Sequence, residues 1–142
     1  MIYIAFLTRD PLTTFNSIYA YTKTRGFPKK ILILYTDESL LNKLLSSLKL
    51  LFEIYGKDIS ISTRKIENDF SDIKEVFEGI KEEFIVDITG ARKSQIIALM
   101  SYLRRGKISY LKLEDMKYAH LPFMMRPMPV QRIMEVNLDE YS

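Results

Sequence analysis

The 142-residue chain predicts an α/β fold, doubly wound around a mainly parallel six-stranded sheet. Three features carry that prediction. Short apolar runs alternate with amphipathic stretches through five strands. The first and fourth runs, Ile2–Leu7 and Phe84–Ile88, are apolar nearly throughout, as in strands covered by helices on both faces. Glycine and proline mark the junctions, at Gly26, Pro28, Gly56, Gly90 and Gly106.

The elements follow in order. Ile2–Leu7 is the first strand. Asp10-Pro11 reads as an N-cap followed by proline at the first helical position, opening a helix to about Arg25. Ile31–Tyr35 is the second strand. Thr36 or Asp37 caps a helix with Leu40, Leu41, Leu44, Leu45, Leu48, Leu51 and Phe52 on one face, closing at Gly56. Ile59–Arg64 is the third strand. An acidic amphipathic helix runs from Asp69 to about Glu83, with Ile73, Val76, Phe77 and Ile80 facing inward. After the fourth strand a helix from about Arg92 to Arg105 turns Ile96, Ile97, Met100 and Leu103 to the core. Ile108–Leu113 is the fifth strand and Arg132–Val136 the sixth. Strand–helix alternation with right-handed crossovers predicts the order 3-2-1-4-5-6. The last connection, Glu114–Pro129, shows no helix, which leaves the edge strand free to enter antiparallel.

Composition narrows the class. Hydrophobic residues are 47% and charged residues 27%, a globular balance fitting a single domain over residues 1–142. No apolar run reaches the roughly 20 residues of a membrane span. The opening residues read as a strand and not as a basic leader, so a cytoplasmic protein is expected. There is no cysteine and one histidine, His120, which leaves no transition-metal ligand set; no metal or other cofactor is expected. No serine sits in a nucleophile elbow, and Glu75, Glu78, Glu82 and Glu83 read as solvated helix charges.

The net charge of +3 conceals an asymmetry. Residues 1–30 carry five Lys/Arg against one acid, residues 31–88 seven against twelve, and residues 89–132 nine against two. In the predicted order, strands one and four adjoin at the topological switch point, where ligands bind beyond the strands' carboxyl ends. The loops selected are Thr8-Arg9-Asp10 and Thr89-Gly90-Ala91-Arg92-Lys93-Ser94, and both lie in the basic segments. A P-loop is excluded, because it would need glycines where Asp87 and Arg92 stand. What remains is a glycine that lets backbone approach a ligand, then a helix N-terminus carrying Arg92 and Lys93. Two cations there oppose the helix dipole, and a bound anion would offset that cost. Thr8 and Arg9 are candidate phosphate donors, while Asp10 is better explained as a cap. Thr13 and Asn16, on the first helix turns, either reach a ligand or face water. The connection around Leu121, Phe123, Met124, Met125 and Met128 is too apolar for a solvated loop, so it covers the domain's own core or a second subunit.

Asp87-Ile88-Thr89-Gly90-Ala91-Arg92-Lys93 resembles the strand-four motif of CARF (CRISPR-associated Rossmann fold) domains. That motif runs acidic or polar residue, apolar residue, Thr or Ser, Gly, small residue, Thr or Arg, then Lys. Leu7-Thr8-Arg9-Asp10-Pro11 sits where the family places its first ligand loop. The resemblance implies a Rossmann-like homodimer binding a cyclic oligoadenylate, most often the four-membered ring, across its two-fold axis. No long nucleic acid and no membrane partner are implied. Members consisting of this domain alone resemble ring nucleases, which cleave the messenger and switch off type III CRISPR signalling. By that resemblance Gly90, Ala91, Arg92 and Lys93 hold phosphates, while Thr8 and Arg9 contact the ring from the first loop; Thr89, Ser94, Asn16 and Arg126 complete the candidate ligand-binding residues. Lys93, then Arg92 or Arg126, would stabilise developing charge, and Thr8 takes the place where such enzymes often have serine. The alternative is a sensor or sink without turnover, or a binding module acting through a partner protein.

Overall fold

The computed structural model describes residues 1–122, 125–126 and 131–141. Six strands form one sheet: β1 (Ile2–Leu7), β2 (Lys30–Tyr35), β3 (Ser60–Lys65), β4 (Phe84–Asp87), β5 (Lys107–Leu113) and β6 (Gln131–Asn137). Their order is β3-β2-β1-β4-β5-β6, as the alternation predicts. Helices α1 (Pro11–Arg25), α2 (Glu38–Ile54), α3 (Asp69–Gly79) and α4 (Lys93–Tyr102) fill the four crossovers, and β1 to β5 are all parallel. Among its described residues the connection after β5 shows a 3-10 turn at Met116–Tyr118 and no helix long enough to carry the chain back across a sheet face. β6 therefore returns antiparallel, with Tyr110 opposite Met134 and Ile108 opposite Val136.

Strand alternation divides the core in two. Tyr3, Ala5 and Leu7 of β1 point under α1 and α2, whereas Ile4 and Phe6 point under α3 and α4. None of the five is more than 1% exposed, which is why the sequence run is continuously apolar. Burying a large aliphatic or aromatic side chain contributes about 1.5–3 kcal/mol. Asp10 caps α1 by accepting from the Thr13 amide at 2.8 Å, and Gly26, at φ 101°, ends it by donating to the Thr22 carbonyl at 3.2 Å. Of the two candidates for the α2 cap, Asp37 takes the role, accepting from Ser39 N at 2.9 Å.

The structure corrects four details of the sequence reading. The third strand is shifted by one residue, to Ser60–Lys65. α3 ends at Gly79, four residues before Glu83. Glu82 and Glu83 would sit unfavourably at a helix C-terminus, and the Arg105 guanidinium instead takes the carbonyls of Ile80 (2.5 Å) and Glu82 (3.1 Å). α4 ends at Tyr102, where the Arg104 guanidinium donates to the Met100 and Ser101 carbonyls. Finally, Ile97 and Met100 lie on the outside of α4, and its inner face is Gln95, Ala98 and Leu99. Gln95 can be buried because its carbonyl accepts from Arg92 N at 2.9 Å and its amide reaches Asp69 at 3.4 Å.

Among the described residues no helix is long and apolar enough to cross a membrane. Of the apolar connection, Leu121 is half-buried and Met125 is exposed; Phe123, Met124 and Met128 lie outside the described residues.

Candidate functional site

Because β1 and β4 are neighbours, with Ala5 beside Asp87, the loops that follow them emerge together at the carboxyl edge of the sheet. Side-chain hydroxyls bind these loops to each other. Thr8 Oγ1 donates to the Gly90 carbonyl at 2.6 Å, and Thr14 Oγ1 donates to the Phe6 carbonyl at 2.7 Å. Gly90 is buried in this junction, and a Cβ there would collide with the Phe6 carbonyl oxygen and lie 2.8 Å from Thr14 Oγ1. The glycine thus serves close packing of β4's end against β1 and α1, where the sequence suggested backbone approach to a ligand. Thr8 has one hydroxyl proton, committed to Gly90, and retains only acceptor capacity.

Behind the junction Asp87 is buried at the end of β4. Its Oδ2 accepts from the Tyr3 phenol, and its Oδ1 accepts from the Thr89 amide (2.9 Å) and hydroxyl (2.5 Å). Thr89 Oγ1 in turn accepts from Leu111 N of β5 at 2.9 Å. Burial first, and then the Asp87 charge, hold the Tyr3 phenol well above its ordinary pKa. Asp87 and Thr89 therefore form a frame that sets the turn after β4. The sequence marked these residues as motif but carried no signal of their partner Tyr3, which lies 84 positions away.

Beside this frame lies a cleft of about 180 Å3, with Arg9, Thr13, Asn16, Thr89, Tyr110 and Arg126 in its walls. The structure thus brings Arg9, Asn16, Thr89 and Arg126 together from four separate segments. Neither Asn16 nor Arg126 is a solvated side chain. Asn16 is buried, and its Nδ2 donates to the Leu121 carbonyl at 3.1 Å. Arg126 is 8% exposed, and its Nε donates to the carbonyls of Tyr118 and Leu121, both at 3.0 Å. Its Nη2 donates to Ala119 at 2.9 Å. Burial lowers the pKa of this guanidinium, and Asp10 opposes that shift. Thr13 donates its hydroxyl to Asp10 at 2.8 Å.

Ala91, Arg92, Lys93 and Ser94 stand apart from the cleft walls, around the start of α4. Ala91 is buried, Ser94 Oγ donates to Asp69 at 2.6 Å, and Arg92 and Lys93 are exposed. At the α4 N-terminus the Gln95 side chain, three residues in, accepts from the Arg92 amide at 2.9 Å. Among the described residues Arg9, Arg92 and Lys93 make no salt bridge, whereas Arg25, Arg64 and Arg132 each face a carboxylate. The carboxyl edge around the switch point therefore carries three cations outside salt bridges, with Asp10 committed to the α1 cap and Asp69 to Ser94 and Gln95. A wider recess of about 410 Å3 lies at the opposite edge, between Met1, Arg105 and Lys107. Glu83 and Asp139 line it beside Arg105 and Lys107, so its charges are mixed, and the Arg105 N–H groups are engaged by backbone carbonyls.

No family model matches the chain, and no curated protein does. Among solved structures it is similar to a Type III CRISPR defence DNA nuclease activated by cyclic oligoadenylate. The TM-score is 0.58 at 17% sequence identity, and the match covers 96% of this chain and 21% of the nuclease chain. This chain thus spans about a fifth of that protein's length, and the likeness is one of fold.

Proposed function

We propose that the chain binds a cyclic oligoadenylate, with cyclic tetra-adenylate as the preferred ring, at the carboxyl edge of its sheet in type III CRISPR signalling. What supports this reading is that the two loops at the switch point carry three cations, Arg9, Arg92 and Lys93, none of them in a salt bridge among the described residues. The fold shared with a nuclease that such a messenger activates, together with the run Asp87–Lys93, selects this ligand among phosphate-rich molecules. Sites for drug-sized ligands begin near 300 Å3. A cleft of about 180 Å3 cannot enclose a ring of four nucleotides, so two copies share one ring as a homodimer.

The reading extends to metal-independent cleavage. A ring 2′-oxygen attacks the adjacent phosphorus and the bond from phosphorus to the 5′-oxygen breaks. The hydroxyl proton passes through solvent to the departing oxygen, leaving a 2′,3′-cyclic phosphate and a 5′-hydroxyl. Lys93, supported by Arg92, stabilises the charge developing on the phosphoryl oxygens, and the loops hold the nucleophile in line. The competing reading, a sensor or sink without turnover, draws on Thr8: its proton is committed to Gly90, so the first loop supplies no acid.

Calorimetric titration with cyclic tri-, tetra- and hexa-adenylate and with the linear tetramer tests binding, and chromatography of the recovered rings tests cleavage. The cyclic tetramer is expected to bind most tightly. Absence of binding by every ring at near-millimolar concentration would remove the proposal, and tight binding of an intact ring would leave the sensor.

A further inference from the structure

Away from the carboxyl edge, α1 and the end of α2 bring three polar side-chain atoms together. Tyr55 caps α2 and is 37% exposed. Its Oη lies 3.0 Å from the Oη of Tyr19, a buried residue of α1, and accepts from Lys23 Nζ at 3.1 Å. Lys23 stands four positions beyond Tyr19 on the same face of α1, so one helix supplies both partners. Among the described residues Lys23 makes no salt bridge, whereas Arg25 faces Glu135. The hydrogen bond with Tyr19, and then that from Lys23, lower the Tyr55 pKa below the ordinary phenol value. Tyr19 moves the other way, up to about 12, chiefly through the same bond. Burial raises Tyr3 and Tyr21. Tyr102 is as exposed as Tyr55, at 37%, but Lys74 lies over its ring and no described side chain bonds its hydroxyl.

We propose that Tyr55, held by Lys23 and Tyr19, is a nucleophilic modification site that takes an acyl group from an acyl phosphate. The site is separate from the ring-binding edge, because Lys23 lies at the end of the helix that Asp10 begins. A phenol is a weak nucleophile until its anion is favoured, and the Lys23 ammonium favours it here. As for thiolates, the gain in anion near neutral pH outweighs the loss of intrinsic nucleophilicity. The Tyr55 oxygen bonds to the carbonyl carbon, and the bond from that carbon to the phosphate oxygen breaks with its electron pair. The phenol proton passes through solvent to the departing phosphate, leaving an aryl ester and inorganic phosphate. As negative charge leaves the phenol oxygen, Lys23 is placed to stabilise it on the leaving group. A second cation favours an anionic donor. Lys57 Nζ lies 5.4 Å from the centre of the Phe27 ring, and that ring lies 5.3 Å from the Tyr55 ring. Among the described residues the neighbouring acids Glu53 and Asp58 form no side-chain hydrogen bond or salt bridge with Lys23, Lys57 or Tyr55.

The chain has no cysteine, so no thiol competes for the acyl group. The wild type is incubated with acetyl phosphate at about pH 8, and early digests are read by mass spectrometry. Tyr55 is expected to be O-acetylated at least about tenfold faster than Tyr102, the internal control of equal exposure. Hydroxylamine, which cleaves aryl esters and spares acetyl-lysine, is expected to remove the label. Lys23→Met is expected to lower the Tyr55 rate at least about tenfold and to move its pH profile upward, and Tyr19→Phe to lower the rate several-fold. All rates are read well below each variant's melting temperature, and the comparison of Tyr55 with Tyr102 in the wild type needs no variant. Equal rates at those two residues, acetyl found first on Lys23, or a Tyr55 rate unchanged in Lys23→Met would each overturn the proposal. Labelling of Tyr55 by N-acetylimidazole but not by acetyl phosphate would overturn it too, because the anionic leaving group would then play no part.

Discussion

Tyr3 donates its phenol hydroxyl to the Asp87 carboxylate across the β1–β4 pair, and both side chains are buried beneath the turn that carries Thr89 and Gly90. The carboxylate therefore receives three donors, one from β1 and two from Thr89 of its own loop. Tyr3→Phe removes one donor and leaves the aromatic packing against Tyr21, at 4.7 Å between centroids, in place. Chemical denaturation should register a loss of about 1–3 kcal/mol, the cost of under-satisfying a buried polar group.

The same pair predicts a pH dependence. Burial and the Asp87 charge raise the Tyr3 phenol well above 10.0 in the folded chain. A group with a raised folded pKa contributes stability fully present below its unfolded value and lost as pH rises beyond it. Stability of the wild type should accordingly fall above about pH 10, and more steeply than that of Tyr3→Phe. Parallel curves for the two proteins in denaturant titrations from pH 8 to 11 would show that Tyr3 does not contribute.

Gly90→Ala places a methyl group against the Phe6 carbonyl oxygen, a backbone atom that cannot swing aside. A loss of about 1–3 kcal/mol or more is expected from overpacking, because the ends of β1 and β4 must separate. Gly79→Ala meets nothing within 4 Å and serves as the control, leaving stability equal or slightly higher. Equal melting temperatures for the two variants would contradict the junction described here.

Arg126 gathers three carbonyls of the 118–121 segment in one planar fork. Lysine cannot reproduce that fork, so Arg126→Lys should behave like Arg126→Ala. Hydrogen exchange of residues 116–122 should quicken in both variants, while amides of β1 and β4 keep their protection. Rescue by lysine would mean that charge alone matters.

For the proposed ligand, Arg92→Ala and Lys93→Ala should each weaken binding of cyclic tetra-adenylate by about 1–3 kcal/mol through loss of charge-assisted bonds to phosphate. Thermal stability should hold or rise slightly, because a cation leaves a helix N-terminus. Cleavage should persist in EDTA and stop with a 2′-deoxy ring that still binds; Lys93→Ala should lose more in single-turnover rate than in affinity. A metal requirement, or turnover of the 2′-deoxy ring, would rule out attack by the 2′-oxygen.

By itself the sequence determined the element order, the strand order and the location of the switch-point loops. Each follows from local information: apolar period, cap residues such as Asp10 and Asp37, and the handedness of crossovers. Only tertiary structure decided what the individual side chains do. Gln95 lies inside and Ile97 outside because Asp69 and the Arg92 amide satisfy the glutamine, partners that helical periodicity cannot see. Thr8, Asn16, Thr89 and Arg126 read as exposed donors in a basic segment, yet their polar atoms are spent on Gly90, Leu121, Asp87 and the 118–121 carbonyls. A hydrogen bond between residues far apart in the chain leaves no period or spacing in either segment, and it forms only once the strands carrying them have paired.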